Sequence, residues 1–158
     1  TTHVLVSSSD IPLITARMVE CLLAQAADPA VDIYHTVVSR EKMEARFPES
    51  RRSYVHFVEG DFAAGGIHVV APHIGHKHRE LWDDLLNSRK DALKQAARLG
   101  PVFFAKLMAH RLSLAELERL VREKFGINAR ALPVDDPEMG MDADKPFQLE
   151  ICRRALAQ

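Results

Sequence analysis

Three observations predict an α/β fold for this chain. An apolar strand, His3 to Val6, passes through Ser7-Ser8-Ser9-Asp10 into a stretch where Ile11, Ile14, Met18 and Leu22 recur at helical spacing. A second strand with β-branched content, Val31 to Val38, follows that helix, and this order makes a parallel βαβ unit the natural reading. Later helical patterns give way to one more strand, Asn128 to Val134, and then to a terminal helix.

Each element has local grounds. Ser9 or Asp10 is expected to cap the first helix, with Pro12 in its first turn and Asp28-Pro29 at its end. Arg40 to Phe47 reads as a short charged helix stopped by Pro48. Tyr54 to Glu59 is expected to be a third strand closed by a turn at Gly60-Asp61, and Gly65-Gly66 to lead into a fourth, Ile67 to Ala71. A parallel crossover needs a dozen or more residues, so these two strands should form an antiparallel hairpin and the sheet should be mixed.

Residues 77–125 read as a helical block. Leu81, Trp82, Leu85, Leu86 and Leu93 form an apolar stripe, with Arg89, Lys90 and Lys94 among the polar residues around it, and Gly100-Pro101 breaks the pattern. Val102 to Leu112 carries Phe103, Phe104, Leu107 and Met108 on a second helix. Ser113-Leu114-Ala115-Glu116 has the form of a capping box for a third, and Gly126 is placed to end it. Pro133 belongs near the margin of the fifth strand, because proline cannot donate to a ladder. Pro146 to Ala157 reads as a helix, although its spacing also admits a strand, and α+β is the alternative class.

The 158 residues, 47% of them hydrophobic, suffice for one core and one domain. The 21 basic and 22 acidic side chains are interspersed, which argues against a nucleic-acid or membrane-surface partner. Cys21 and Cys152 are the only cysteines, too few for a disulfide framework or a zinc ribbon, so a reducing cytoplasm is the simplest setting and both are expected to be buried thiols. No signal-peptide pattern opens the chain, and no apolar run approaches the roughly 20 residues that span a bilayer.

Chemistry is expected first at Asp10, since open α/β sheets present their sites beyond the carboxyl ends of strands. A carboxylate there, beside free helix amides, can hold magnesium while the amides attract phosphate; helix capping alone also explains it. Asp142 and Asp144 form a second acidic loop. Magnesium usually takes one or two protein carboxylates, so two acidic loops meeting over a sheet edge would suffice, although a solvated loop is the plain alternative. His68, His73, His76 and His78 cluster after the fourth strand and could bind zinc, copper or nickel, but their spacing is not that of a His-Glu-x-x-His helix. His35 and His56 lie on expected strands and His110 near a helix end; Trp82, Phe103 and Phe104 look like core. Arg89 and Lys90 could reach an anionic acceptor or simply be solvated.

Val4-Leu-Val-Ser-Ser-Ser-Asp-Ile-Pro-Leu-Ile14 resembles the Asp-x-Pro-Leu segment of the nucleotidyltransferases related to the molybdenum cofactor guanylyl- and cytidylyltransferases. Gly65-Gly66 resembles the Gly-Gly that precedes a strand in that family, and Met141-Asp-Ala-Asp-Lys-Pro-Phe-Gln-Leu-Glu150 is similar to its closing Asp-x-Asp-x-Pro-x-x-Leu segment. The matches fall in the family's order. The resemblance implies a Rossmann-like, three-layer α/β/α fold with a mixed, mostly parallel sheet. It also implies transfer of a nucleotidyl group from a nucleoside triphosphate to a phosphorylated small-molecule acceptor, with pyrophosphate released. Asp10 and Asp144, with Asp142 as the alternative to Asp144, would hold the catalytic Mg2+; Ser8, Ser9, Pro12, Gly65 and Gly66 would line the ligand site.

The family's opening strand and glycine-rich loop with its basic residue have no counterpart before Asp10. The chain is therefore expected to be the C-terminal part of a longer nucleotidyltransferase domain. A sheet without its first strands would expose an apolar edge, which favours a homo-oligomer. Two other readings follow from the same residues: a non-catalytic module that senses a ligand or assembles with copies of itself, and a metal-dependent hydrolase using the histidine cluster. His73-Ile-Gly-His76 also copies the signature of class I aminoacyl-tRNA synthetases, but it follows a late strand and lacks that family's lysine-rich second signature.

Overall fold

In the computed structural model, which describes residues 2–77 and 100–157, the chain opens with β1 (Val4–Ser7), α1 (Ala16–Gln25) and β2 (Ile33–Ser39). It continues through α2 (Arg40–Arg46), β3 (Val55–Phe57), β4 (Gly60–Val70) and α3 (His73–Lys77). Residues 100–157 supply α4 (Pro101–Met108), α5 (Leu114–Phe125), β5 (Ala129–Pro133), a 3-10 turn (Pro137–Gly140) and α6 (Pro146–Leu156). The apolar stripe from Leu81 to Leu93, with Arg89 and Lys90, lies outside the described residues.

Among the described residues the mixed sheet has the order β1-β4-β2-β5, with β3 hydrogen-bonded to β4. β1 and β2 both run antiparallel to β4, and β5 runs parallel to β2. The strand–helix–strand reading thus holds for direction and fails for adjacency, because β4 sits between β1 and β2. That insertion also corrects the expectation of a mostly parallel sheet: β2–β5 is the one parallel ladder described. β4 can do this because it is 11 residues long, pairing with β3 along its first part and with β1 along its second.

Two apolar clusters hold the sheet. Tyr34, Ile67 and Val69 pack with Leu22 of α1, Met43 of α2, Met139 and Met141 beside the 3-10 turn, and Ile151 and Cys152 of α6. Each such side chain taken fully out of water contributes roughly 1.5–3 kcal/mol. A second cluster joins Ile33, Val70 and Ala129 to Val121 and Phe125 of α5. The Tyr34 hydroxyl donates to the Asp28 carbonyl at 3.1 Å and accepts from the Asp28 amide at 2.9 Å, which fixes the loop between α1 and β2.

Several local signals form as expected. Ser113 and Glu116 make the capping box of α5, and Gly126 closes that helix in the left-handed conformation at φ 64°. Others differ. α1 starts at Ala16 with Thr15 as its cap, not Ser9 or Asp10, because Asp10 is engaged elsewhere. The hairpin turns at Val58-Glu59, so Gly60 already belongs to β4, and Gly65-Gly66 lies inside β4 rather than ahead of it. Cys152 is buried but Cys21 is exposed. β1 leaves Val4, Leu5 and Val6 between 41% and 47% exposed. No helix of the described residues is long and apolar enough to cross a membrane.

Candidate functional site

The site begins at an irregularity in β4. His35 pairs with His68 and Val37 with Ala64, so Thr36 alone on β2 faces Gly65, Gly66 and Ile67 on β4. The Thr36 hydroxyl donates to the Ile67 carbonyl, giving that oxygen a partner the ladder does not supply. A Cβ on Gly65 would lie 2.2 Å from Thr36 Oγ1, and one on Gly66 would lie 2.7 Å from Ile11 Cγ2. The close approach these glycines permit is therefore to β2 and to the loop after β1. Bulges of this kind re-aim the chain and recur beside active sites.

That loop settles on the bulge. The Ser8 amide donates to the Gly66 carbonyl at 2.7 Å, and the Ser8 hydroxyl donates to Asp10 Oδ1. Asp10 in turn accepts on its backbone carbonyl from the Ala143 amide at 2.8 Å. Ala143 lies between Asp142 and Asp144, so this bond brings the second acidic loop against the first. The second loop is anchored from below by Met139 and Met141, both essentially buried, and by Gly140, which sits on Met43 and Val38.

The carboxyl groups of Asp10 and Asp144 come within hydrogen-bonding reach of each other, and their acidities separate as a result. Asp10 is held below the usual carboxylate range, chiefly by the Ser8 hydroxyl and also by Asp144 and Arg52. Asp144 is raised, chiefly because it shares its hydrogen bond with Asp10 and then because Asp142 lies close. Two carboxyls this close make each other's ionisation costlier, and a cation between them would relieve that cost.

Asp142 is committed differently. Its Oδ2 accepts from Arg52 Nη1, while its Oδ1 is buried with no partner among the described residues. Arg52 was not singled out by sequence reasoning, although the Arg51-Arg52 pair ahead of β3 was visible there. Arg51 takes φ 50°, a left-handed conformation uncommon outside glycine, and lays its guanidinium over Phe147. The next residue is thereby turned inward.

These residues border a cleft of about 380 Å³ that includes Ser8, Asp10, Arg52, Gly65, Gly66 and Asp142. His68 lines it too, stacked on His35 with ring centroids 4.4 Å apart; burial, and then the neighbouring imidazole, push its pKa down to about 4. Ser9 and Pro12 are not among the cleft's lining residues, and Asp144 stands at its margin through Asp10. Among the described residues His68 and His73 have separate partners. His68 is held by His35, His73 pairs with Asp32 at 3.0 Å, and His78 and the side chain of His76 lie outside the described residues. Among the described residues, no group of three or more His, Cys, Asp or Glu side chains converges as a metal site.

No protein-family profile matches the chain, and no curated protein matches it. Among solved structures it is similar to a hypothetical transferase from Thermus thermophilus, at 34% sequence identity and a TM-score of 0.84 over 93% of this chain. The chain spans 63% of the length of that protein. The chain therefore shares the mixed-sheet α/β fold of the matched part of that protein.

Proposed function

We propose that this chain carries the metal and acceptor part of a magnesium-dependent nucleotidyltransferase, on a Rossmann-like three-layer scaffold resembling the molybdenum cofactor guanylyl- and cytidylyltransferases. The reaction would move a nucleotidyl group from a nucleoside triphosphate to a phosphorylated acceptor and release pyrophosphate. The observation that carries this reading is the contact between the Asp10 and Asp144 carboxyls, from loops far apart in sequence but latched together over the cleft. Similarity to a hypothetical transferase supports the broader half of it.

The donors suit the ion. Magnesium takes hard oxygen ligands, needs only one or two protein carboxylates, and leaves its other positions to water and phosphate. Asp10 and Asp144 would hold it, while Asp142 is engaged by Arg52. Bound there, magnesium would neutralise phosphate charge and align the reacting oxygens. The chain's own work is positional. Gly65 and Gly66 lower the floor of the cleft, the Ser8 amide and hydroxyl fix Asp10, and the Ala143 amide fixes the second loop.

The test is magnesium binding by calorimetry on the chain, followed by pyrophosphate release assayed with each nucleoside triphosphate in the longest native form of the protein. Asp10→Ala and Asp144→Ala should each abolish magnesium binding and turnover while circular dichroism stays unchanged. Full turnover in both variants would remove these residues from the mechanism.

The exposed apolar strand β1 favours a second reading, a module that assembles with copies of itself. Sedimentation velocity across a hundredfold concentration range decides it, since a strict monomer argues against assembly.

A further inference from the structure

Arg52 is the only lysine or arginine among the described residues lining the cleft, and its guanidinium is underused. Nη1 serves Asp142, Nη2 reaches the Ala64 carbonyl only at 3.4 Å, and Nε is buried with no acceptor among the described residues. The Nε and Nη2 hydrogens form the planar fork that matches two oxygens of a phosphate. A buried donor without an acceptor is costly, so an oxygen arriving at this edge would satisfy a group that the fold leaves unpaired.

We infer that Arg52 is the ligand for the phosphate monoester of the acceptor, engaged through its Nε–Nη2 edge after a divalent cation has bound. This rests on the metal reading above and adds to it a residue, a substrate group and an order of binding. The order follows from charge. Three carboxylates, those of Asp10, Asp142 and Asp144, stand near one guanidinium, which repels an anion until a cation offsets them. Arg52 reaches the Ala64 carbonyl beside Gly65 and Gly66, the pair that lines the cleft on the acceptor part of the proposed function, and this makes the acceptor its partner.

Inorganic phosphate and pyrophosphate serve as probes, titrated with and without saturating magnesium while the Arg52 Nε–H resonance is followed by NMR. In wild type, phosphate should shift that resonance only with magnesium present. Arg52→Gln should weaken phosphate binding by about tenfold or more, Arg52→Lys should restore part of it, and pyrophosphate binding should change by less than about threefold. Asp142→Asn, which removes a negative charge beside the guanidinium, should strengthen phosphate binding at saturating magnesium, whereas a guanidinium serving only to tether Asp142 would gain nothing. Equal phosphate affinity in wild type and Arg52→Gln, with both melting alike, overturns the proposal and leaves the metal reading standing. An equal loss for pyrophosphate overturns the acceptor assignment. Asp10→Asn that still binds magnesium as wild type does sinks the metal reading, and the binding order with it.

Discussion

The Ala143 amide donates to the Asp10 carbonyl at 2.8 Å, so the two acidic loops are joined backbone to backbone. The meeting of the Asp10 and Asp144 carboxyls is therefore imposed by the fold against their own repulsion. Ser8 stabilises the Asp10 anion, and the neighbouring carboxyls make Asp144 the harder of the two to ionise. Carboxyl pairs whose acidities are pushed apart in this way cluster at functional sites.

Relieving that repulsion should stabilise the metal-free protein while removing its function. The raised pKa of Asp144 means its contribution to stability is present at low pH and is lost as pH rises through the folded value. Asp10, whose pKa is lowered, contributes in the opposite sense, losing its effect as pH falls. Above the folded value the cost of ionised Asp144 is present. Asp144→Asn should then raise the melting temperature in chelator by roughly one or two degrees, a small effect because the group is exposed and screened. The same variant should show none of the wild type's stabilisation by magnesium. Differential scanning fluorimetry with and without the ion checks both halves.

The two glycines of the bulge predict unequal costs. A methyl group on Gly65 would overlap the Thr36 hydroxyl, and Thr36 is fully buried and tied to Ile67, so β2 and β4 would have to part. Gly65→Ala should cost about 2–3 kcal/mol in chemical denaturation. Thr36→Ala should rescue part of that loss, because the contact is between these two positions. Gly66→Ala meets the Cγ2 methyl of buried Ile11 instead, at a longer approach, and should cost about 1–2 kcal/mol, while displacing the Ser8–Asp10 loop enough to weaken magnesium binding. Full magnesium affinity in Gly66→Ala would separate the bulge from the site.

How much of this was readable beforehand depends on whether the cause is local. The capping box at Ser113 and Glu116 and the closing Gly126 need only their own turn of helix, and they form where the sequence places them. The two acidic loops were readable as candidates, and the structure brings Asp10 and Asp144 together. Gly65-Gly66 was misplaced because its cause is Thr36 on another strand; composition alone makes two glycines look like a turn. The insertion of β4 between β1 and β2 is equally non-local. Arg52 escaped notice because its partner Asp142 is 90 positions away and no spacing rule connects them.

The Ser113 cap supplies a stability test independent of the cleft. Its hydroxyl accepts from the Glu116 amide at 3.1 Å, and Glu59 from the β3–β4 turn also accepts from the Leu114 amide at 3.1 Å. Ser113→Ala should cost about 1 kcal/mol and Ser113→Gly a few tenths, since glycine tolerates the cap geometry and lets water reach the amides. Magnesium affinity should be unchanged in both. A loss of affinity in Ser113→Ala would tie α5 to the site through the hairpin.

The stacked pair of His35 and His68 makes acid the protein's vulnerable side. His68, desolvated on β4 and next to the His35 imidazole, is pushed down to about 4. A histidine depressed in the folded state binds its proton more readily when unfolded, so stability is complete above the unfolded value and falls as pH drops toward the folded one. Between about pH 6.5 and 4, His68 should thus withdraw on the order of 2 kcal/mol. Replacing the ring by an apolar group of similar breadth, His68→Leu, should flatten urea stability over that window while keeping the packing on β4. NMR gives the direct check. The His68 ring signals should hold their neutral-form shifts at pH 5.5, where an ordinary histidine is mostly protonated, and a titration midpoint near 6.5 would show that the stack does not exclude the charge.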